Sequence, residues 1–316
     1  MTLWKPLPRL PLLLGLLLTL AGACGRAPVE PIRLATNVWP GYEPLYLARQ
    51  LGTLDPKGFH LVEMSNASDV VRALKAGRVA GAALTLDETL TLLQDDVDLQ
   101  VVLVMDVSSG ADVVLGQPQL TSLAALKGRR IGVEQAAVGG YLLARALDHA
   151  QLRPTDIVVV PITQGAHEAS FLKGSVDALV TFEPTRSHLL ARGAKVLFDS
   201  SQIPGEIFDV LVLRGDVARA RPEVAAQLRQ GWFQALAYLR DHPQDAAHRM
   251  APREQLGPES FHRALQGLTF PDAEAEARMR GGGLLAPARR LADLMFQEKL
   301  LQRPVDPARL LAPRAP

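Results

Sequence analysis

The sequence is poor in the residues that most often mark a covalent framework or a catalytic centre. It has one cysteine in 316 residues, so an intrachain disulfide is excluded. Its 7 histidines are scattered without the H-E-x-x-H or similar spacing of a metal site, and it has no G-x-S-x-G nucleophile elbow. These absences argue against hydrolytic chemistry, and we expect a protein that is not an enzyme and uses no cofactor or metal.

The chain also lacks a charge excess and, beyond its first residues, a long apolar run. Without residues 1–23, 32 basic residues face 33 acidic residues, and no basic stripe stands out. A nucleic-acid-binding protein normally shows such a stripe, so we expect no nucleic-acid partner. No later apolar run is long enough to cross a bilayer. With 48% hydrophobic residues, the remaining chain suits two domains of ordinary size.

The beginning of the chain has the pattern of an export signal. Lys5 and Arg9 form a basic start, residues 10–20 are almost purely apolar, and small residues lead into Cys24. This pattern predicts a signal peptide over residues 1–23. A cysteine directly after the small residues resembles the bacterial lipobox. That resemblance implies cleavage before Cys24, acylation of its sulfur with a palmitate-type chain, and a lipid anchor in a membrane, facing the periplasm or the cell exterior.

The lipobox resemblance is incomplete. Ala21, rather than leucine, stands three residues before the cysteine, with Leu20 one place further back. An ordinary signal peptide followed by an unmodified cysteine is the alternative. Because an exported chain without a second thiol forms no internal disulfide, membrane attachment explains the cysteine better. Gly25 follows in place of aspartate, which by resemblance to lipoprotein sorting signals allows delivery to an outer membrane.

Strand-like and helix-like segments alternate along the rest of the chain, which is typical of an α/β fold. A first series runs from a strand at 32–37 to a buried strand at 99–105, and a second series begins after a pause at 108–110. Because parallel strands need a helix-sized return, the alternation predicts mainly parallel sheets flanked by helices. From residue 221 the pattern is helical, with a predicted loop at 281–283.

Four stretches carry a resemblance to a known family. They are NVWPGYEPLYLA at 37–48, DVVRALKAGRVAGA at 69–82, LKGRRIGVE at 126–134 and VDALVTFEP at 176–184. In this order they are similar to the substrate-binding proteins of nitrate/sulfonate/taurine ABC importers. The resemblance covers most of the mature chain. It implies a periplasmic-binding-protein fold of type 2, in which two α/β lobes are joined by two hinge crossings and the ligand lies between them.

The resemblance also implies the domain boundaries, and the residue pattern agrees with crossings near 106–112 and 205–212. The predicted segments are a signal peptide at 1–23, a lipidated tether at 24–31, lobe 1 at 32–108 and 209–316, and lobe 2 at 109–208. The implied function is delivery of a small nitrogen- or sulfur-containing organic solute, by a monomer, to an ABC permease and ATPase. Two alternatives stay open: a sensor that signals occupancy to a membrane receptor, and a binder of a pyrimidine-type thiamine precursor.

Ligands of open α/β sheets bind beyond the carboxyl ends of the strands, where helix N-termini offer free amides. This rule selects loops in both predicted lobes. The predicted ligand-binding residues are Asn37, Trp39, Tyr42, Ser65, Asn66, Thr85, Asp87, Glu134, Gly139, Gly140, Tyr141, Thr163 and Glu183. A structural role is the alternative for several of them: core packing for Trp39, helix capping for Asn66, and a solvated helix-start carboxylate for Glu183.

The selected loops contain no lysine or arginine. Their acidic residues are Asp87, Glu88, Glu134 and Glu183. Backbone amides and hydroxyls can still bind an oxyanion, but carboxylates favour a ligand with an amine or another cationic group. We therefore expect a small nitrogen-containing compound, such as a zwitterionic aminosulfonate, rather than nitrate.

Overall fold

A computed structural model describes residues 1–2 and 30–311 of the chain. Cys24, the predicted acylation site, and nearly all of the predicted signal peptide and tether lie outside these residues. The strands and helices below belong to the compact unit Ile32–Pro316. Within the described part of the chain, no helix combines the length and the apolar character needed to cross a membrane.

The described residues form the following regular elements. The strands are β1 (Ile32–Thr36), β2 (Phe59–Glu63), β3 (Gly81–Thr85), β4 (Leu99–Ser108), β5 (Val113–Gly116), β6 (Arg130–Val133), β7 (Val158–Pro161), β8 (Ala178–Thr181), β9 (Lys195–Asp199), β10 (Phe208–Arg214) and β11 (Leu268–Thr269). The helices are α1 (Glu43–Gln50), α2 (Ala67–Lys75), α3 (Leu86–Gln94), α4 (Val138–His149), α5 (His167–Leu172), α6 (Thr185–Leu190), α7 (Gly215–Ala220), α8 (Pro222–Asp241), α9 (Pro243–Met250), α10 (Pro258–Leu265), α11 (Ala273–Arg278), α12 (Leu285–Gln297) and α13 (Ala308–Leu311). Short 3-10 turns cover Pro40–Tyr42, Leu123–Leu126, Pro154–Asp156, Gln164–Ala166 and Ser200–Gln202.

The first sheet has six strands in the order β11-β4-β10-β3-β1-β2. Strand β1 pairs in parallel with β2 and β3, whereas β10 runs antiparallel between β3 and β4. Asp209 of β10 is the register partner of Thr85 on one side and of Asp106 on the other. Strands β1 to β4 run in the same direction, so the prediction of a mainly parallel sheet is confirmed, and β10 and β11 from the later part of the chain make the sheet mixed by returning in the opposite direction.

The second sheet has five strands in the order β7-β6-β8-β5-β9. Strand β6 is parallel to β7 and β8, while β5 is antiparallel to β8 and β9. Strands β6, β7, β8 and β9 run in the same direction, so this sheet is also mainly parallel, and β5 is its antiparallel strand. The predicted α/β architecture with two lobes is confirmed, with one sheet in each lobe.

The chain passes between the two sheets twice, from β4 to β5 and from β9 to β10. The two connections touch each other: the hydroxyls of Ser108 and Ser200 are 2.8 Å apart, and the amide of Gly110 donates to Ser200 Oγ at 2.6 Å. These connections form the hinge. The predicted lobe boundaries, 108/109 and 208/209, lie beside them and stay a prediction.

The later helices complete the core of the first lobe. Val224, Leu228 and Trp232 are fully buried on one face of α8, which packs on α1, so the helical pattern predicted from residue 221 is confirmed here. The loop predicted at 281–283 is wrong, because Met279–Gly283 forms a π-helical turn that follows α11. Gly282 has a φ of 134°, which glycine adopts without a Cβ clash, and the chain continues from there into α12.

Candidate functional site

A small cavity is lined by residues that lie near strand ends of both sheets. Its volume is about 20 Å³, room for about one water molecule. The lining residues are Asn37, Trp39, Tyr42, Ala67, Thr85, Glu88, Asp112, Val138, Phe182 and Asp209. An organic solute is larger than this space, so its binding requires the lobes to separate or the lining side chains to move.

Four of the predicted residues, Asn37, Trp39, Tyr42 and Thr85, line this cavity. They lie where β1 and β3 end, as the rule for open sheets expects. Six lining residues were not predicted: Ala67, Glu88, Asp112, Val138, Phe182 and Asp209. Glu183 was predicted, but its neighbour Phe182 lines the cavity instead. Contact of the four predicted residues with a ligand stays a prediction.

Aromatic side chains form one wall of the cavity. Pro40 begins the 3-10 turn that carries Tyr42, and Trp39 precedes it in extended conformation. The rings of Trp39 and Phe182 meet edge to face, with centroids 5.6 Å apart. Because Trp39 follows β1 and Phe182 follows β8, this contact joins the two lobes. Trp39 also packs in the core of the first lobe, so the core-packing alternative applies to it, and its contact with a ligand stays a prediction.

Two carboxyl groups of the hinge strands lie beside this wall. Asp106 in β4 and Asp209 in β10 are 0% and 1% exposed. The hydroxyl of Tyr42 donates to Asp209 Oδ1 at 2.5 Å. Within the described residues, Asp209 Oδ2 and both carboxyl oxygens of Asp106 have no hydrogen bond of acceptable geometry. Burial raises the pKa of Asp106 to about 7; burial and the charge of Asp106 raise the pKa of Asp209 well above its usual range.

Three further acidic side chains surround the cavity. Asp112 is 3% exposed, and its Oδ2 has no partner in the described part of the chain; burial raises its pKa to about 7. Glu88 accepts a hydrogen bond from the backbone amide of Thr85 at 3.0 Å, and this bond caps α3. Burial, and to a lesser extent the charge of Asp87, raise the pKa of Glu88 to about 8. Burial raises the pKa of Asp87 to about 6. These carboxyls do not converge on a point: no three or more His, Cys, Asp or Glu side chains among the described residues could hold a metal ion.

Polar contacts also close the cleft from one lobe to the other. The amide of Ser68 donates to Glu134 Oε1 at 3.1 Å, and the Ser68 hydroxyl bonds to the same oxygen. The side-chain amide of Gln164 donates to the carbonyl of Val38 at 3.2 Å, and its backbone amide donates to Glu134 Oε2 at 3.2 Å. Glu134, predicted as a ligand-binding residue, is thus a bridge between the lobes.

Other predicted residues lie beside the cavity rather than on its wall. Asn66 caps α2 by accepting from the amide of Asp69 at 2.8 Å. Glu183 is fully buried and accepts from Arg186 and Ser187 at 3.0 Å each. Capping therefore explains Asn66, and Glu183 is bonded within the start of α6 instead of being solvated. A contact of either residue with a ligand stays a prediction.

The remaining predicted residues lie around the start of α4 and in exposed loops. A Cβ on Gly140 would lie 2.6 Å from the carbonyl oxygen of Gln135, so only glycine fits this close approach without a shift. Gly139 is similarly close to the backbone at Glu134. The hydroxyl of Tyr141 donates to Glu206 at 2.5 Å. The last two predicted residues, Ser65 and Thr163, are exposed. None of these residues lines the cavity, and their contact with a ligand stays a prediction.

Comparison with known proteins finds relatives in sequence and neighbours in structure. The taurine-binding periplasmic protein of Escherichia coli K12 is 23% identical over 270 residues, which cover 82% of each chain. The alkanesulfonate-binding protein SsuA from Xanthomonas axonopodis pv. citri, solved bound to MOPS, superimposes with a TM-score of 0.76 at 21% identity. This superposition covers 90% of the present chain and 99% of that chain.

The fold also occurs in an enzyme. The desulfurization enzyme DSZB superimposes with a TM-score of 0.66 at 20% identity, over 90% of this chain and 97% of its own. At such identities these structures share the fold, and the chemistry of the cleft must be argued from the residues present. The model of the NMT1-like family matches residues 25–253. Since that match covers well over half of the 316 residues, the chain belongs to the NMT1-like family.

Proposed function

We propose that this protein is an exported, lipid-anchored solute-binding protein that holds a small nitrogen- or sulfur-containing organic solute between its lobes and delivers it to an ABC importer. One observation carries the proposal: the cavity has walls from both lobes, and contacts between the lobes close it. Ser68 with Glu134, and Val38 with Gln164, form hydrogen bonds across the cleft. A solute that touches both walls favours the closed state, which is the state a transporter can recognise.

The relatives support a binding protein rather than an enzyme. The Escherichia coli relative is named for taurine binding and the Xanthomonas neighbour for alkanesulfonate binding. DSZB shares the fold and is an enzyme, so conversion of the solute is the alternative to test. The single cysteine of the present chain, Cys24, is the proposed acylation site and is not available as a catalytic nucleophile under this proposal.

A ligand screen tests the solute-binding function. The full chain is heated with taurine, alkanesulfonates, small amines, nitrate, sulfate and a pyrimidine precursor of thiamine, and its melting temperature is measured. A solute at 100 times its Kd adds about 2.7 kcal/mol to the free energy of unfolding. We expect at least one organic solute to raise the melting temperature and to be recovered unchanged. Recovery of a chemically converted solute would instead support an enzyme.

Metabolic labelling tests the lipid anchor separately. Cells that express the protein are fed an alkyne analogue of palmitate, and the label and the membrane fraction are compared with those of the Cys24→Ser variant. We expect the wild-type protein to be labelled and membrane-bound, and the variant to lose both properties. If the wild-type protein is not labelled, the proposed lipid anchor is contradicted, while the proposed solute binding is unaffected.

A sensory function is the second candidate, and Gly25 favours it. Glycine after the acylated cysteine permits outer-membrane delivery, whereas an importer operates at the inner membrane. Uptake of a labelled solute by cells with and without the protein separates the two functions. Loss of uptake supports the importer, while unchanged uptake together with a lost response to the solute supports the sensor.

A further inference from the structure

We propose that the cleft binds the ammonium group of a small organic cation against the carboxylates of Asp112 and Asp209, with the indole ring of Trp39 beside it. This inference rests on the proposed solute-binding function and names the class of solute. An aromatic ring next to carboxylates is a general arrangement for holding an ammonium group, because the ring face and the oxygens both carry negative potential.

Buried polar atoms at the cavity lack partners. Asp112, Asp209 and Trp39 all line the cavity and are 3%, 1% and 4% exposed. In the part of the chain described, Asp112 Oδ2, Asp209 Oδ2 and Trp39 Nε1 have no hydrogen bond of acceptable geometry. A buried polar atom without a partner costs free energy, so the two carboxyl oxygens mark a place where an ammonium group supplies the missing donor. The indole N–H of Trp39 is a donor only, so it can bind an acceptor atom of the solute but not its ammonium group.

The chain supplies arginine to buried carboxylates elsewhere. Glu43 accepts from Arg253 at 3.0 Å, and both Glu183 and Glu276 accept from an arginine at 2.9 to 3.0 Å. The cavity differs, since none of its described lining residues is lysine or arginine. Three of them are acidic: Glu88, Asp112 and Asp209. The missing positive charge is therefore expected to come from the solute.

An anionic solute is poorly matched to the same wall. At pH 8, where Asp112 is ionised, a sulfonate placed beside it meets like charge at short distance, which costs several kcal/mol. No basic side chain among the described lining residues compensates for it. The site thus differs from one that recognises a solute by its anionic group alone.

The position of the carboxyls links binding to closure. Asp209 lies on a hinge strand and Asp112 directly follows the other hinge connection. Val138 and Phe182 of the second lobe form the opposite wall. A cation between these walls reduces the repulsion among the carboxyls only when the cleft is closed around it, so its binding favours the closed state.

Proton release is a second consequence of the same geometry. Burial raises the pKa of Asp106 and Asp112 to about 7, so these groups keep protons near neutral pH while no cation is bound. The titratable groups that face them are Asp87 and Glu88 from α3, Asp209 from β10, and Tyr42 from the 3-10 turn. An ammonium ion stabilises the carboxylates and releases protons. Its affinity is therefore expected to rise with pH through about 7.

A matched set of two-carbon solutes tests the proposal by calorimetry at pH 8. Ethanolamine carries only the amine, isethionate only the sulfonate, and taurine both; choline and putrescine extend the set to other cations. We expect at least one amine to bind and isethionate not to bind. Repeating the titration at pH 7 in buffers of different ionisation enthalpy should show protons released on binding.

Two variants test the residues. Asp112→Asn and Asp209→Asn keep the side-chain size but remove the charge, and each is expected to weaken amine binding by about 10-fold to 100-fold. Asp177→Asn is the control, because Asp177 bonds to Arg130 outside the cavity. If Asp209→Asn fails to fold, Asp112→Asn and the proton release still decide the question.

Several outcomes overturn the cation proposal. Isethionate binding without a response to any amine overturns it and leaves the solute-binding function standing. A response to magnesium or calcium chloride, but to no amine, assigns the site to a metal ion and also overturns it. Amine binding that both Asn variants retain at full affinity places the cation elsewhere. No binding of any solute in either panel contradicts the proposed function as well.

Discussion

Two groups of buried carboxyls in this protein have opposite surroundings. The cleft carboxyls are Asp112 and Asp209, which line the cavity, and Asp106, the register partner of Asp209; none of the described lining residues is lysine or arginine. The second group is the arginine site, which consists of Glu43 and Arg253. Glu43 is 1% exposed and accepts a hydrogen bond from Arg253 at 3.0 Å. The guanidinium carbon of Arg253 also lies 3.3 Å from the centroid of the Tyr46 ring.

The difference separates a structural role from the binding role that we propose for the cleft. In the arginine site the chain provides its own counter-charge, so the pair is complete once the protein is folded. In the cleft the counter-charge is missing, and the carboxyls must hold protons or meet a cation. Glu254 fits neither group: it is fully buried, neither oxygen has a partner in the described chain, and nothing in the structure explains it.

The largest expected effect is on the pH dependence of stability without a solute. Burial raises the pKa of Asp106 and Asp112 from 3.8 to about 7. Between these pH values the folded protein binds more protons than the unfolded chain. Its free energy of unfolding should therefore fall as pH rises, by up to about 1.4 kcal/mol per pH unit for each carboxyl, and level off above the folded pKa. Urea unfolding at pH 5 and pH 8 measures this change.

Variants assign this pH dependence to the cleft. Asp112→Asn should flatten the profile, whereas the exposed-site control Asp177→Asn should not. The arginine site contributes to the pH dependence of stability with the same sign, because burial raises the pKa of Glu43 to about 7 despite Arg253. The quantity to compare is therefore the difference in pH dependence between the two variants. A wild-type protein more stable at pH 8 than at pH 5 would contradict the picture of unpaired cleft carboxyls.

The second prediction concerns the arginine site. Arg253→Met leaves the Glu43 carboxylate buried without its partner and removes the cation from the Tyr46 ring, so we expect a loss of about 3 kcal/mol in the free energy of unfolding. Arg249→Met is a matched control, because Arg249 also pairs with a carboxylate and lies over a tyrosine ring, but at the surface. Its loss should stay under about 1 kcal/mol. Solute affinity should be unchanged in both arginine variants. A large loss of affinity in Arg253→Met would contradict the distinction between the arginine site and the cleft.

The third prediction tests how tightly the cleft carboxyls are packed. A Cβ on Gly41 would lie 2.1 Å from Asp106 Oδ2 and 2.4 Å from Trp39 Nε1. Gly41→Ala must displace one of these side chains, and we expect a loss of about 2 kcal/mol in thermal or urea unfolding together with weaker solute binding. Gly165→Ala is the control, since a Cβ there meets nothing within 4 Å. Equal stability of the two variants would show that the carboxyl moves freely.

The smallest expected effect concerns Glu134, a cleft carboxylate that does have partners. Ser68→Ala removes the hydroxyl that bonds to Glu134 across the cleft, while the Ser68 amide bond remains. We expect the closed state to lose about 1 kcal/mol and the solute Kd to rise about 5-fold. Calorimetry and small-angle X-ray scattering measure affinity and closure. Ser201→Ala, which removes a bond to Asp199 within one lobe, should change neither; an equal effect of the two variants would show that the bridge does not hold the lobes together.

Local sequence signals predicted the elements well, because strand and helix periodicity is a property of neighbouring residues. Strand β1, Ile32–Thr36, lies within the strand predicted at 32–37, and β4, Leu99–Ser108, contains the strand predicted at 99–105. What the periodicity did not predict is decided by distant segments. The antiparallel return of β10 between β3 and β4 makes the first sheet mixed, and Met279–Gly283 forms a π-helical turn around the non-helical Gly282 where a loop was predicted.

The site was predicted in part for the same reason. Trp39, Tyr42 and Thr85 lie at strand ends that the sequence marks, and the structure places them on the cavity wall. Asp106 and Asp209 were missed, since each lies inside an apolar strand and not in a loop. A signal existed: the segments M-D-V and F-D-V each put a charge into an otherwise apolar run, which is costly unless the charge has a purpose.

The sequence by itself determined the α/β alternation, the family resemblance and the scarcity of basic residues in the strand-end loops, because each is carried by residues close together in the chain. Only the tertiary structure decided which carboxyls have a counter-charge. Glu43 meets Arg253, and Asp106 meets Asp209 instead of a cation, through pairings of segments far apart in sequence. Electrostatic free energy depends on distances in space and on burial, and the folded chain alone sets both.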